Sequence, residues 1–541
     1  MTPAPRPSRR ALLRAGAALG AAAALPACRA GAPRVEGGIA DEDAPLGHRL
    51  RDGGLPGAPS SKERVPVLIA GGGVAGLAAG WRLAREGFHE FRLFELGARP
   101  GGTARGGELK GFRHPWGAHY LPVPRASQRA LAVFLRDAGI ATGVDPEGRV
   151  VVPRTHLVRA PESRVHQVGA WEEGLWPAAG ARAEDQAQIE RFEQLLAELD
   201  VPDAAGLRPF DLPLASSSPG LRGLDVQSAR EWAEEQGFDS ERLLWYLEYA
   251  TRDDYGARLA DTSAWALLHY FAARVLPGRG ESAEFMTWAE GNAFLVDRLR
   301  AGFADRIQTR SLVVAVRPGA GAVEVDVFRP EANELVTWVA ERAILALPQF
   351  ALARTISEDP AREARRAFRY GSWVVANLHL SEEPASRGFP AAWDNVRYGS
   401  DSLGYVRATH QLDLATRESV WTWYLPLTDS DESAVRRALL EAPWEHWRDR
   451  ALADLRYAHP EIDELVTRVD VWRWGHAMVK PVPGFLWGPE RRRAAEPFGG
   501  LHFAHSDVAG LPLFEEAHWS GARAAEEVLA ARGLEFESLL G

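Results

Sequence analysis

Val65-Pro66-Val67-Leu68-Ile69-Ala70-Gly71-Gly72-Gly73-Val74-Ala75-Gly76 is the stretch that decides the fold. Its first half is almost wholly apolar, as a strand buried on both faces requires. Glycines at 71, 73 and 76 then spell G-x-G-x-x-G, and an Ala- and Leu-rich helix follows. Glycine there permits the tight turn, the close approach of backbone to a pyrophosphate, and the packing of helix on strand. The phosphates would rest on Gly71, Gly73, Val74, Ala75 and Gly76, at the free N–H groups of the helix start. From Phe91 the chain reads F-R-L-F-E, a second short strand ending in Glu95. An acid at that distance accepts hydrogen bonds from an adenosine ribose. Strand, helix, strand and acid together predict a dinucleotide site.

The residues after Glu95 select the dinucleotide. Leu96 through Gly102 complete the pattern E-x-x-x-R-x-G-G, with the glycine pair at Gly101 and Gly102 and Thr103 next. On these residues the chain resembles the flavin-containing amine oxidase and carotenoid desaturase superfamily. Gly117, Ala118 and His119 resemble the loop that passes the flavin in that superfamily, and Val313 resembles the residue whose backbone meets the adenine. Near the C-terminus, G-L-H-F-A-H-S-D-V-A-G places Asp507 where an acid holds the ribityl chain, ahead of a helix that carries Ser520. The resemblance implies FAD. It also implies hydride transfer from a substrate C–H to flavin N5, with reoxidation by O2 or an envelope electron acceptor.

Several positions depart from the pattern. The superfamily's oxidases have arginine where this chain has Gly97 and Thr103, and Arg105 is the nearest replacement charge. Glu516 stands where many members place a glycine against the flavin, and Leu513 where amine oxidases place an aromatic ring. The loss of that ring favours a small apolar or alicyclic donor. An amine or amino-acid oxidase and a non-catalytic flavoprotein are the alternatives.

The chain has 541 residues, 46% hydrophobic and 25% charged, with a formal net charge of −10, which argues against a nucleic-acid partner. Arg9 and Arg10, ahead of a weakly apolar run, read as a twin-arginine signal spanning 1–28 and export to the bacterial envelope, on the periplasmic side. Cys28, the sole cysteine, closes that run like a lipidated residue and leaves no internal disulfide. Residues 29–63, rich in Gly, Pro and Ala, read as a flexible linker.

The expected fold class is α/β: a Rossmann-like FAD domain of the glutathione-reductase type, interleaved with an α+β substrate domain. The FAD domain would take 64–135, 285–355 and 470–535, and the substrate domain 136–284 and 356–469. In the latter, S-W-V-V-A-N-L-H-L and V-W-T-W-Y-L-P-L alternate as half-buried strands do. Of the 19 tryptophans several cluster here, as a cavity wall or as ordinary core. His476 and Lys480 are the titratable groups in a segment that the superfamily brings past the flavin, so they are the catalytic candidates. Asp253, Asp254 and Tyr255 read equally as pocket residues or as a plain loop. No metal site is expected.

Overall fold

The structure, a computed structural model, describes residues 35–41, 43–146, 148–273, 284–319, 321–413 and 416–540. The chain enters on β1 (Glu36–Ile39), passes through α1 (Ala44–Asp52), and reaches β2 (Ser61–Ala70), α2 (Val74–Arg85) and β3 (Phe91–Phe94). It then builds a second body with β4 (Ser163–Gln167), β5 (Ala170–Glu173), α3 (Ala183–Leu199), α4 (Glu241–Tyr255) and α5 (Ala264–Ala272). It returns with β6 (Ile307–Gln308), β7 (Leu312–Pro318), β8 (Val323–Arg329) and β9 (Glu334–Leu345). The second body resumes with β10 (Tyr370–Leu380), β11 (Asp394–Arg397), β12 (Tyr405–Arg407), β13 (Ser419–Leu427) and β14 (Val466–Val479). Finally β15 (Leu501–Phe503) and α6 (Phe514–Ala531) close the first.

The first body is a seven-stranded sheet in the order β6-β3-β2-β9-β8-β7, with β15 also on β9. Its centre is parallel: β2 lies between β3 and β9, and Val67 through Ala70 are wholly buried. Helices α2 and α6 cross one face at very short range. A Cβ on Gly521 would collide with the carbonyl oxygen of Ala75, so glycine is what lets the two helices touch. This is an α/β fold with a Rossmann-like dinucleotide-binding body, as the glycine pattern predicts.

The second sheet has eight strands, β1-β14-β10-β13-β12-β11-β4-β5. Strands β10 and β13 are buried along nearly their whole length rather than half-buried. One face, with Val374, Ala376 and Leu378, packs on Trp447 and Leu455; the other, with Trp373 and Val375, packs on Trp393 and Tyr424. Covering both faces removes the solvated side that period-two patterning implies.

Two boundaries differ from expectation. Residues 470–479 belong to β14 of the second sheet, not to the dinucleotide body, because V-D-V-W-R-W pairs along β10. The described part of the 29–63 stretch is not a free linker: β1 pairs in parallel with β14, α1 docks on the first body, and β2 already begins at Ser61. Among the described residues no helix is long and apolar enough to cross a membrane. Arg9, Arg10 and Cys28 lie outside the described residues.

Candidate active site

The fingerprint loop leaves β2 with Gly71 at φ +100°, where a Cβ would strike the Ala346 carbonyl oxygen. Gly73 caps α2 without a side chain, and Leu77 is the first residue whose N–H reaches an intrahelical carbonyl, that of Gly73 at 3.0 Å. The N–H groups of Val74, Ala75 and Gly76 therefore form an open helix start. Gly101 donates its N–H to the Gly72 carbonyl at 2.8 Å, which lays the glycine pair against the fingerprint. Between them lies a cradle: a Cβ built on Gly73 would meet nothing closer than Gly102 Cα at 3.9 Å.

The next predicted pieces converge on the same cradle. Ala118 donates its N–H to the Thr103 carbonyl at 2.9 Å, fastening the Gly117–His119 loop to the glycine pair. Glu95, buried at the end of β3, accepts from the N–H of Gly72 and that of Gly97, both at 2.7 Å. Burial raises its pKa, and Arg105 and these two donors work against the rise. Leu96 packs beside Leu312 and Val314, whereas the Val313 side chain turns into the sheet core.

Asp507 is fully buried. Its Oδ2 accepts from the Tyr370 hydroxyl at 2.6 Å and the Gln349 N–H at 3.0 Å, and Oδ1 lies 2.9 Å from His505 Nδ1. Burial pushes its pKa up, but His505, Tyr370 and Gln349 more than offset that, so the carboxyl sits below its usual range. Ser520 accepts the His505 N–H at 3.2 Å, tying α6 to this turn.

Beside Thr103 and the Gly117–His119 loop opens a cavity of about 830 Å³. Trp373, Val375, Trp393, Tyr424 and Leu513 contribute apolar wall, and His119 lies 4.9 Å from the Tyr424 ring and 5.4 Å from Trp393. Aromatic rings thus reach the cavity from the second sheet, although residue 513 is leucine. Among the described residues the lining carries many acids. Glu162, Asp253, Asp254 and Asp394 line it, as do Glu190 and Glu193 of α3, and the described lining residues include no Lys or Arg. Tyr249 donates to Asp394 Oδ2 at 3.4 Å, Tyr270 to Asp253 at 3.1 Å and Tyr120 to Asp254 at 3.2 Å. Burial, with the neighbouring Asp253, pushes the Asp394 pKa well above the carboxylate range; burial alone raises Glu162. Burial also pulls His119 down to about 4, so its imidazole is neutral at pH 7.

Asp253 and Asp254 sit in the last turn of α4, which Gly256 ends in the left-handed region, so the stretch is a helix terminus and not a loop. Tyr255 is core, its hydroxyl bonded to the Ala266 carbonyl at 2.8 Å. The two catalytic candidates do not reach the cavity. Lys480 is buried, and its Nζ pairs with Glu432 Oε1 at 3.2 Å, outside the lining. His476 is exposed and stacks on Phe350 at 4.1 Å, on the Tyr370 side. The resemblance led to the right segment, β14 and the residue that follows it, but only Trp474, Ala477 and Met478 of that neighbourhood line the cavity.

Residues 69–137 match the family model described as an NAD(P)-binding Rossmann-like domain. The Mycobacterium tuberculosis protein AofH, assigned as a flavin-containing monoamine oxidase, is 26% identical over 489 residues, covering 86% of this chain and 97% of its own. Among solved structures, putrescine oxidase bound to putrescine superposes with a TM-score of 0.64 at 18% identity, over 87% of this chain and 100% of the other. Cyclohexylamine oxidase from Brevibacterium oxydans IH-35A gives 0.61 at 17% identity, over 87% and 99%. In sequence this chain is similar to a flavin-containing monoamine oxidase, and in fold to amine oxidases.

The Mycobacterium tuberculosis relative is described as flavin-containing, which points to a flavin dinucleotide in a cradle of this kind. The residues present fit such a dinucleotide: a cradle that a Cβ would fill, an open helix start, and a buried acid beside them. Two departures from the superfamily acquire reasons. Gly97 replaces an arginine because a Cβ there would come within 2.6 Å of Asp43 Oδ2. Glu516 does not crowd the cavity, since its side chain turns away to accept the Leu214 N–H, and burial raises its pKa to about 8. Arg105 does not replace the missing phosphate charge either; its guanidinium is held by Asp43 at 2.8 Å and faces Glu95 at 3.7 Å.

Proposed function

We propose that this chain is an FAD-dependent oxidase of small amines. The observation that carries the reading is the acid-lined aromatic cavity opening beside the dinucleotide cradle, with no Lys or Arg among its described lining residues. Asp394 and Glu162, desolvated by burial, are stabilised when a cation arrives, and an apolar substrate supplies none. This replaces the apolar donor favoured by Leu513 alone. The putrescine and cyclohexylamine oxidases that share the fold support an amine.

Bound FAD supplies the two-electron acceptor for a substrate C–H bond, and O2 or an envelope carrier takes the electrons onward. The protein does the rest. Trp393, Tyr424 and His119 box the carbon skeleton, and Asp394 holds the ammonium. Because burial makes Asp394 a stronger base than a solvated carboxylate, it takes the ammonium proton and leaves the neutral amine as the electron-rich donor. Anaerobic mixing of the purified flavoprotein with a panel of monoamines and diamines should bleach the visible flavin bands. Bleaching by terpenoid or lipid extracts and by no amine would overturn the reading.

The export reading is proposed alongside, on Arg9, Arg10 and Cys28. Replacing Arg9 and Arg10 by lysine should strand a folded protein in the cytoplasm, since the two cations differ in fork geometry. Cys28→Ser should move exported protein from the membrane to the soluble fraction. Unchanged fractionation would leave an unlipidated envelope enzyme.

A further inference from the structure

Residues 36–41 lie on the second body and residues 43–52 on the first, at the acid end of the dinucleotide cradle. On the second body, β1 pairs with Arg468–Val471 of β14, Ala40 donates to the Val471 carbonyl at 2.8 Å, and Asp41 is paired with Arg473 at 3.2 Å. The seat is close, because a Cβ on Gly37 would collide with the Val469 carbonyl oxygen. On the first body, Asp43 bonds Arg105 at 2.8 Å and accepts the Ala98 N–H at 3.3 Å. Arg105 in turn faces Glu95 and lies over the Trp472 ring at 5.0 Å. Beyond Asp43, Leu46 and Leu55 pack with Leu96, Leu312, Phe328 and Leu335, and Arg49 lies over Phe328 at 5.1 Å.

We propose that this segment is a cofactor clasp: a strap, latched by Asp43 on Arg105, that closes the adenosine end of the cradle and retains FAD. The inference rests on the reading that the cradle holds FAD. Two observations point the same way. Asp43 occupies the space where a side chain at residue 97 would begin, so the strap stands in place of the arginine that oxidases of the superfamily have there. The cradle itself offers the phosphates the open backbone N–H groups at the start of α2, and Arg105, which follows the glycine pair, is committed to carboxylates. A grip without a guanidinium on the phosphates is weaker, and mechanical closure compensates for it. The clasp is built to open, since α1 has no fully buried residue and rests on a few half-buried leucines, with the Asp43–Arg105 pair just ahead of it. FAD insertion then precedes strap docking.

The test uses the full chain with the triple substitution Gly37→Val, Asp43→Ala, Leu46→Asp, alongside Asp43→Ala alone. Wild type is first shown to carry FAD; if it does not, the cofactor reading fails and the clasp is not at issue. FAD release into excess apoflavoprotein acceptor is then followed by flavin fluorescence, while trypsin cleavage at Arg49 and Arg51 reports undocking. Release should accelerate by about tenfold in Asp43→Ala, the loss of one charge-assisted latch, and further in the triple variant. Melting of the FAD-stripped proteins should change little, which separates retention from general stability. Wild-type release rates in the triple variant would overturn the clasp.

Discussion

The Tyr249 hydroxyl on α4 stands 3.4 Å from Oδ2 of Asp394 on β11, so one contact joins the helical wall of the cavity to its sheet floor. The pair puts a carboxyl of raised pKa against the space that a substrate would enter.

Replacing that carboxyl isosterically isolates its charge. Asp394→Asn should raise KM for a cationic amine by about tenfold to a hundredfold, the worth of one charge-assisted hydrogen bond. Flavin content should not change. Steady-state kinetics with matched amine and alcohol substrates checks it, and equal losses for both would mean that the site was merely distorted.

Gly73 has the opposite character, being a place where nothing is required and space is essential. Its extended backbone, φ −71°, accepts any residue, and the protein leaves 3.9 Å around a new Cβ. Gly73→Val should therefore fold as apoprotein, melting close to wild-type apoprotein, yet purify without FAD. Absorbance of the visible flavin bands against protein concentration decides the matter.

Lys480 is expected to hold the structure together and take no part in the chemistry. Lys480→Met removes the partner of Glu432, which keeps Arg369 at 3.2 Å and Arg436 at 3.6 Å. The variant should lose about 1–3 kcal/mol of stability. Its rate of flavin reduction by amine should stay within about threefold of wild type, as befits a group that does not touch the substrate. A large drop in that rate would restore Lys480 to the site.

Glu516 should set a pH dependence of stability. Burial raises its pKa to about 8 in the folded protein, against 4.5 when solvated. Below pH 4.5 both states are protonated and the group costs nothing. Between pH 4.5 and 8 the unfolded chain releases the proton and the folded one does not, so stability falls across that window and levels off above it. Glu516→Gln keeps the acceptor for the Leu214 N–H and should abolish the fall, leaving the variant more stable than wild type at pH 8 by several kcal/mol. Denaturant titrations at pH 5 and pH 8 give the comparison.

The sequence by itself determined the dinucleotide cradle. Gly71, Gly73, Gly76, Gly101 and Gly102 act through backbone conformation and close approach within short stretches of chain, and Glu95 follows at a distance set by one strand, one helix and one strand. Such features are local, so spacing alone reveals them. Only the tertiary structure decided what surrounds the cradle. Glu162, Asp253 and Asp394 are separated by about a hundred residues or more and come together because β4 pairs with β11 and α4 packs over them. No local pattern marks that convergence. Met478 reaches the cavity from β14, whereas Lys480, two residues on and just past the end of that strand, turns to Glu432 because strand alternation has stopped there. Residues 29–63 read as a linker because they are rich in Gly, Pro and Ala, and the order of 36–41 and 43–52 comes from pairing with Arg468–Val471 and docking at Arg105, partners that lie far along the chain.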